Sequence, residues 1–138
     1  MNGAWGPYTA LSRIDRGIGA KVWKAIRNGP GGFAKLLALK EVAPEVAADA
    51  DFVKQISVVS HLVHPNVVQV LDFERLDSEV FLAMEYVPGC DLGRLLAHLA
   101  EQGSALSRDE SRYLVLEIVR GLRGLHERAT ESGGGAIL

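Results

Sequence analysis

Short apolar runs alternate with glycine over residues 8–40, which is the pattern of β-strands joined by turns. The strongest turn signal in the chain is Asn28–Gly32, a stretch rich in glycine and proline. It separates a predicted strand near Val22–Ile26 from another near Phe33–Lys40. This part of the chain therefore predicts the first three strands of a sheet.

A helical spacing of apolar side chains follows over residues 45–63. Steps of three, four and one residues separate the apolar positions, and these steps are helical. The apolar positions are Val46, Phe52, Val53, Ile56, Val59 and Leu62. His64-Pro65-Asn66 ends the predicted helix, because the residue before a proline avoids helical backbone angles.

The remaining pattern predicts two more strands and two more helices. The strands lie near Val67–Phe73 and Glu79–Val87, with a short polar connection between them. Asp91 can cap a short helix over Leu92–Glu101. Residues 107–110 match a capping box, with a serine followed three residues later by a glutamate, and this box opens the longest helix.

The order of these elements indicates an α+β fold. Residues 8–87 contain five strands and one helix, which predicts a mostly antiparallel five-stranded sheet with a helix packed against it. Residues 1–7 are a predicted N-terminal tail, and residues 88–138 hold the two later helices. The longest helix, over 107–128, is apolar around more than half of its circumference, as expected for a helix covered by partners.

Composition narrows the classes of function. The chain has 138 residues, a net charge of −2 and 48% apolar residues, with a pI near 6.1. This balance gives no electrostatic footprint for nucleic acid or an anionic membrane. The single cysteine, Cys90, cannot form an internal disulfide, and no apolar run approaches the ~20 residues of a membrane helix. The N-terminal residues lack the order of a signal peptide, so we expect a cytoplasmic protein.

Two features suggest chemistry, and each is weak alone. The glycine-containing turn at residues 15–22 can cradle phosphates if its backbone N–H groups are unobstructed. Lys40 ends an otherwise apolar predicted strand, where a lysine is most often a solvated strand end. His61 and His64 have no third candidate ligand nearby in the sequence, which argues against a metal site.

In combination, however, the motifs resemble those of protein kinases, in order and in spacing. They cover residues 8–138 and are a glycine loop around Gly17, V-W-K-A at 22–25, A-L-K at 38–40, H-P-N-V-V at 64–68, M-E-Y-V-P-G at 84–89 and G-L-x-x-L-H at 121–126. The chain is thus similar to the N-terminal portion of a eukaryotic-like, bacterial-type serine/threonine kinase domain. The resemblance implies a kinase N-lobe over 8–87, including the hinge, followed by the start of a C-lobe.

The resemblance also implies roles for individual residues around ATP. Lys40 resembles the lysine that pairs with the α- and β-phosphates. Gly17 and Ala20 hold glycine-loop positions, and His64-Pro65-Asn66 resembles a structural anchor. The other implied contacts are the apolar roof over the adenine at Ile14, Val22 and Ala38, the gatekeeper Met84, the hinge groups of Glu85 and Val87, and Asp91 at the ribose.

Three departures from the family pattern bear on activity. Asp15 occupies the position of the first loop glycine, and Ala20 that of the third. Counting back from His64 places Gln55 where a helix glutamate normally pairs with Lys40, so a charge–charge contribution is lost. No H-R-D or D-F-G motif occurs in the 138 residues. Because these motifs supply the catalytic aspartate and the magnesium ligands, we expect this chain alone to be inactive.

Two interpretations remain open at this stage. The chain is the ATP-binding portion of a kinase that phosphorylates protein hydroxyls when complete, with magnesium needed only then. Alternatively, it is a non-catalytic, pseudokinase-like module that binds nucleotide or a protein partner. An unrelated α+β interaction domain would require all the motif matches to be coincidental. Either way, an uncovered helix at 107–128 favours self-association.

Overall fold

The computed structural model describes residues 4–14 and 21–131. Within these ranges the strands form one antiparallel sheet of six, in the order β1-β2-β3-β4-β6-β5. The strands are β1 (Ala4–Trp5), β2 (Tyr8–Arg13), β3 (Val22–Asn28), β4 (Ala34–Val42), β5 (Val70–Leu76) and β6 (Glu79–Glu85). The helices are α1 (Pro44–Ala47), α2 (Ala50–Ser60), α3 (Leu92–Glu101) and α4 (Arg108–Glu131).

The predicted five antiparallel strands over residues 8–87 are confirmed, and a short strand joins them from the predicted N-terminal tail. This strand, β1, pairs Trp5 with Tyr8 of β2. The Trp5 ring packs 5.0 Å from the Phe81 ring and 5.5 Å from the Trp23 ring, centroid to centroid. Apolar burial of this aromatic side chain thus draws residues 4–5 onto the sheet.

The sheet carries an apolar cluster on each of its faces. On one face Tyr8, Leu37, Leu39, Phe81 and Ala83 are almost fully buried, together with Ala25 and Leu76. On the other face Val42, Val70, Val80 and Leu82 are buried beneath α2, which contributes Phe52, Ile56 and Val59. The alternation of side chains along β4 and β6 therefore divides their residues between the two clusters.

The helix predicted over residues 45–63 is instead two helices. α1 ends at Ala47, and the Asp49 carboxylate begins α2 by accepting hydrogen bonds from Asp51 N at 2.8 Å and Phe52 N at 3.3 Å. The prediction of one continuous helix is wrong because a side-chain cap competes with helix continuation at this aspartate. β5 also begins later than predicted, at Val70, because Val67 bridges back to His64.

α4 contacts the sheet-and-helix unit through the loop His64–Asn66. Asn66 Nδ2 donates to Glu117 Oε2 at 2.5 Å, and Gly121 of α4 is buried against this loop. The expectation that His64-Pro65-Asn66 serves as an anchor agrees with these contacts. The opposite side of α4 is exposed and apolar, at Val115, Ile118, Val119 and Leu122.

Candidate functional site

Strand register places four of the predicted site residues on one face of the sheet. Val22 of β3 pairs with Lys40 of β4, and Ala38 of β4 pairs with Met84 of β6. Paired residues in antiparallel strands project from the same face, and so do residues two positions apart along one strand. Val22, Ala38, Lys40 and Met84 therefore form a contiguous group on the face that also packs against α2.

Ile14 adjoins this group from the end of β2. Its backbone N–H donates to the carbonyl of Val22 at 2.9 Å, and its side chain is exposed. An exposed apolar side chain next to Val22 fits the predicted roof over a flat ligand. The predicted loop residues Gly17 and Ala20, and also Asp15, lie outside the residues that the structure describes.

The predicted hinge begins where β6 ends. Glu85 is the last residue of β6, and its backbone N–H donates to the Gln69 carbonyl at 2.9 Å. Val87 lies two residues further on and is 60% exposed. Glu85 follows Met84 directly and Val87 comes two residues later, so the chain leaves the sheet beside the group formed by Val22, Ala38, Lys40 and Met84. Their hydrogen bonds to a nucleotide base stay a prediction.

Asp91 caps α3, as the sequence predicts. Its Oδ1 accepts a hydrogen bond from the backbone N–H of Arg94 at 2.8 Å. The residue is exposed, and its second carboxylate oxygen forms no hydrogen bond within the described part of the chain. One oxygen can thus cap the helix while the other contacts a sugar hydroxyl, so the predicted ribose contact is compatible with the cap.

A cavity of about 580 Å³ lies beside Lys40, between β4 and α2. Its walls are mainly apolar, and its lining residues are Lys21, Lys40, Glu41, Val42, Ala43, Val46, Phe52, Ile56 and Leu82. At its rim Lys21 Nζ donates to both Glu41 carboxylate oxygens at 3.0 Å. Glu41, which follows Lys40 in the sequence, is therefore paired with Lys21 rather than with Lys40.

Gln55 forms no hydrogen bond with Lys40 within the described part of the chain, so the pairing suggested by the sequence stays a prediction. Gln55 is exposed, whereas Phe52 and Ile56 of the same helix line the cavity with Lys40. The burial of Phe52, Ile56 and Val59 sets the rotation of α2 and directs Gln55 towards solvent. The helical spacing of those apolar residues was the signal that identifies the inward face.

Two kinds of feature are absent from the described residues. Within residues 4–14 and 21–131, no group of three or more His, Cys, Asp or Glu side chains is placed to hold a metal ion. None of the described helices is long and apolar enough to span a membrane.

Comparison with known proteins identifies the family. The family model "Protein kinase domain" matches residues 8–130, and the chain therefore belongs to the protein kinase domain family. The architecture agrees with this, since a crystal structure of the Mycobacterium tuberculosis PknI kinase domain superposes with a TM-score of 0.71 at 26% sequence identity. That match covers 92% of this chain and 50% of the PknI chain. The fold is thus a kinase N-lobe with part of a C-lobe.

The curated relatives include kinases named as serine/threonine kinases and kinases named as tyrosine kinases. The serine/threonine-protein kinase PknI of Mycobacterium tuberculosis is 31% identical over 102 residues, covering 70% of this chain and 17% of PknI. The tyrosine-protein kinase MasK of Myxococcus xanthus is 25% identical over 133 residues, covering 94% of this chain and 21% of MasK. The chain therefore spans about a fifth of the length of these curated relatives.

Proposed function

We propose that the chain is the ATP-binding portion of a serine/threonine protein kinase. The observation that carries the proposal is the common sheet face of Val22, Ala38, Lys40 and Met84 at the start of the hinge. This face offers apolar contact for a purine and an ammonium group for the phosphates, which are the two parts of ATP. The serine/threonine assignment is supported by the similarity to PknI.

ATP titration of Lys40→Met tests the role of Lys40. We expect weak ATP binding by the unmodified chain and roughly ten- to hundredfold weaker binding by the variant, because a charge-assisted hydrogen bond to phosphate is lost. Adenosine lacks phosphates, so its affinity should not change. Lys35→Met is the matched control, since Lys35 is an exposed lysine towards the other end of the same strand.

Two results of this titration would contradict these expectations. Equal ATP affinity of the Lys40→Met variant and the unmodified chain would remove Lys40 from the site. Tight binding that depends strongly on magnesium would contradict the expected weak binding, because the family's magnesium ligands belong to motifs absent from these 138 residues.

We further propose that a polypeptide of these 138 residues transfers no phosphate. The residues that accept the substrate proton and hold magnesium belong to H-R-D and D-F-G motifs, neither of which occurs in the sequence. Incubation with radiolabelled ATP and a general protein substrate should give no labelled serine, threonine or tyrosine. Incorporation above that of a Lys40→Met control would refute the proposal.

A non-catalytic binding module is the second candidate function. The exposure of Gln55 favours it, because Lys40 then has no partner on α2 of the kind that active kinases use. Thermal unfolding with and without millimolar ATP separates the candidates. A raised midpoint that disappears in Lys40→Met supports nucleotide binding. An unchanged midpoint favours a module that binds protein alone.

The exposed apolar stripe of α4 supports self-association through a second copy of this chain. Val115, Ile118, Val119 and Leu122 are each 50% to 58% exposed. Together with their neighbours Tyr113 and Leu116 they present on the order of 500 Å² of apolar surface. Stable complexes bury about 800 Å² per partner, so we propose a weak dimer.

Sedimentation velocity over a range of concentrations tests the dimer. Association should rise with concentration and disappear in Ile118→Lys, whereas Arg112→Lys on the same helix should leave it unchanged. A monomer at every concentration would refute self-association.

A further inference from the structure

The ammonium group of Lys24 lies over the ring of Tyr86, with Nζ 4.8 Å from the ring centroid. Lys24 belongs to β3, and Tyr86 is the first residue after β6. Both side chains are partly buried. Within residues 4–14 and 21–131, the ammonium group contacts the Tyr86 ring and forms no ion pair with a carboxylate. The distance and the aromatic face are those of a cation–π interaction.

The register shows why this contact crosses the sheet. Lys24 pairs with Ala38 of β4, and Ala38 pairs with Met84 of β6. β4 lies between β3 and β6, so these two strands share no backbone hydrogen bonds. Lys24, Ala38 and Met84 thus lie in one row across this face, and the Lys24 ammonium reaches the ring of Tyr86 just beyond β6.

The contact adjoins the proposed base site on the same face of the sheet. Val22, two residues before Lys24, lies on this face with Ala38 and Met84. A flat base bound there would lie between Val22 on β3 and the segment after β6. The separation of these two segments therefore decides how tightly a base is held.

We propose that Lys24 and Tyr86 form a clasp that sets the width of the base site at its hinge end. Lys24 is a positioning residue: it acts on the base through the relative placement of β3 and Tyr86. Preorganising the two walls reduces the ordering cost of binding, so the clasp raises affinity for the base without contacting the phosphates. This inference rests on the proposed function, since it takes the base site to be a nucleotide site.

Adenosine binding by single and double variants tests the clasp. Lys24→Met removes the charge at nearly constant length, and Tyr86→Leu removes the ring. Each should weaken adenosine binding roughly three- to tenfold, and the double variant should bind no more weakly than either single variant. Lys24→Arg should restore most of the affinity, and Lys35→Met should leave it unchanged. Adenosine is used because it carries no phosphates, so a general effect of lysine charge does not enter.

A spectroscopic signature separates the clasp from a general effect on stability. In the free protein the ε-methylene protons of Lys24 should show an upfield ring-current shift in NMR spectra, and Tyr86→Leu should abolish it. If Lys24→Met unfolds, Lys24→Gln repeats the measurement. Unchanged adenosine affinity in Lys24→Met, or independent effects of the two substitutions, would overturn the clasp while leaving the base site in place. Failure of the unmodified chain to bind adenosine would overturn the proposed function and this inference together.

Discussion

Two glycines of α4 allow the loop His64–Asn66 to lie directly against the helix backbone. A Cβ atom at Gly121 would stand 2.9 Å from the carbonyl oxygen of Asn66, and one at Gly124 would stand 2.9 Å from His64 Cδ2. Glycine within a helix costs about 1 kcal/mol relative to alanine. The close approach of the loop therefore explains why these two helix positions are glycine, although glycine by itself weakens a helix.

Gly121→Ala should destabilise the protein by about 1–3 kcal/mol, in spite of the better helix propensity of alanine. The neighbour is a backbone oxygen, so a side-chain rotation cannot relieve the clash. Gly124→Ala should cost less, and His64→Ala should relieve its effect, because there the neighbour is a side chain. Urea unfolding measures all three variants. A Gly121→Ala protein as stable as the original would contradict the close packing of this loop.

At the scale of elements, polar side chains decide where the helices begin. Asp49 caps α2, Asp91 caps α3, and Ser107 and Glu110 form a reciprocal box at the start of α4. In that box Ser107 N donates to Glu110 Oε2 at 2.8 Å, and Glu110 N donates to Ser107 Oγ at 3.2 Å. These bonds satisfy backbone groups that a helix terminus otherwise leaves without partners.

The box should make the stability of the α4 N-terminus depend on pH. Hydrogen bonds from the Ser107 hydroxyl and backbone lower the pKa of Glu110 below its ordinary value. Because the folded-state pKa is depressed, this contribution is present above the ordinary pKa of glutamate and is lost as the pH falls through the folded-state value. The Glu110 carboxyl shift in NMR spectra should therefore titrate at lower pH than in a Ser107→Ala control. Identical midpoints would show that the box does not form.

At the scale of the whole molecule, a hydrogen bond joins two strands that are distant in the sheet order. Tyr8 Oη donates to Glu74 Oε1 at 2.9 Å, linking β2 to the edge strand β5. Burial, and then the bond to Glu74, raise the pKa of the Tyr8 phenol. Hydrogen bonding with the Asp72 carboxyl, and then burial, raise the pKa of Glu74. The sheet is therefore curled enough to bring its second and last strands into contact.

Tyr8→Phe should destabilise the protein by about 1–3 kcal/mol at neutral pH, because it leaves the partly buried Glu74 carboxylate without this donor. The folded-state pKa of Glu74 is raised, so its contribution to stability is greatest below the ordinary pKa and is lost as the pH rises through the folded-state value. The Tyr8 bond opposes this loss, since it favours the ionised carboxylate. The cost of Tyr8→Phe should therefore be larger at neutral than at acidic pH.

Urea unfolding at both pH values measures this difference. Tyr113→Phe is the control, since Tyr113 is exposed on α4. An equal cost of Tyr8→Phe at the two pH values would mean that Glu74 does not depend on the phenol.

Local signals in the sequence indicated most of the strands and helices and their order, although β1 and the division between α1 and α2 were not predicted. The turn at Asn28–Gly32, the cap at Asp91 and the box at residues 107–110 act within a few residues, so their effects can be predicted without knowledge of the fold. The resemblance to kinases assigned Ala38 to the adenine roof and Lys40 to the phosphates, and these assignments rest on motif order rather than on the fold.

How these elements meet depends on contacts between parts of the chain that lie far apart in the sequence. The rotation of α2 depends on which of its residues the sheet buries, and the packing of Phe52 and Ile56 against the sheet leaves Gln55 exposed. The bond between Tyr8 and Glu74 joins residues 66 positions apart, so it depends on the curl of the complete sheet. Such contacts arise from the combined burial of many side chains, which no short stretch of sequence specifies.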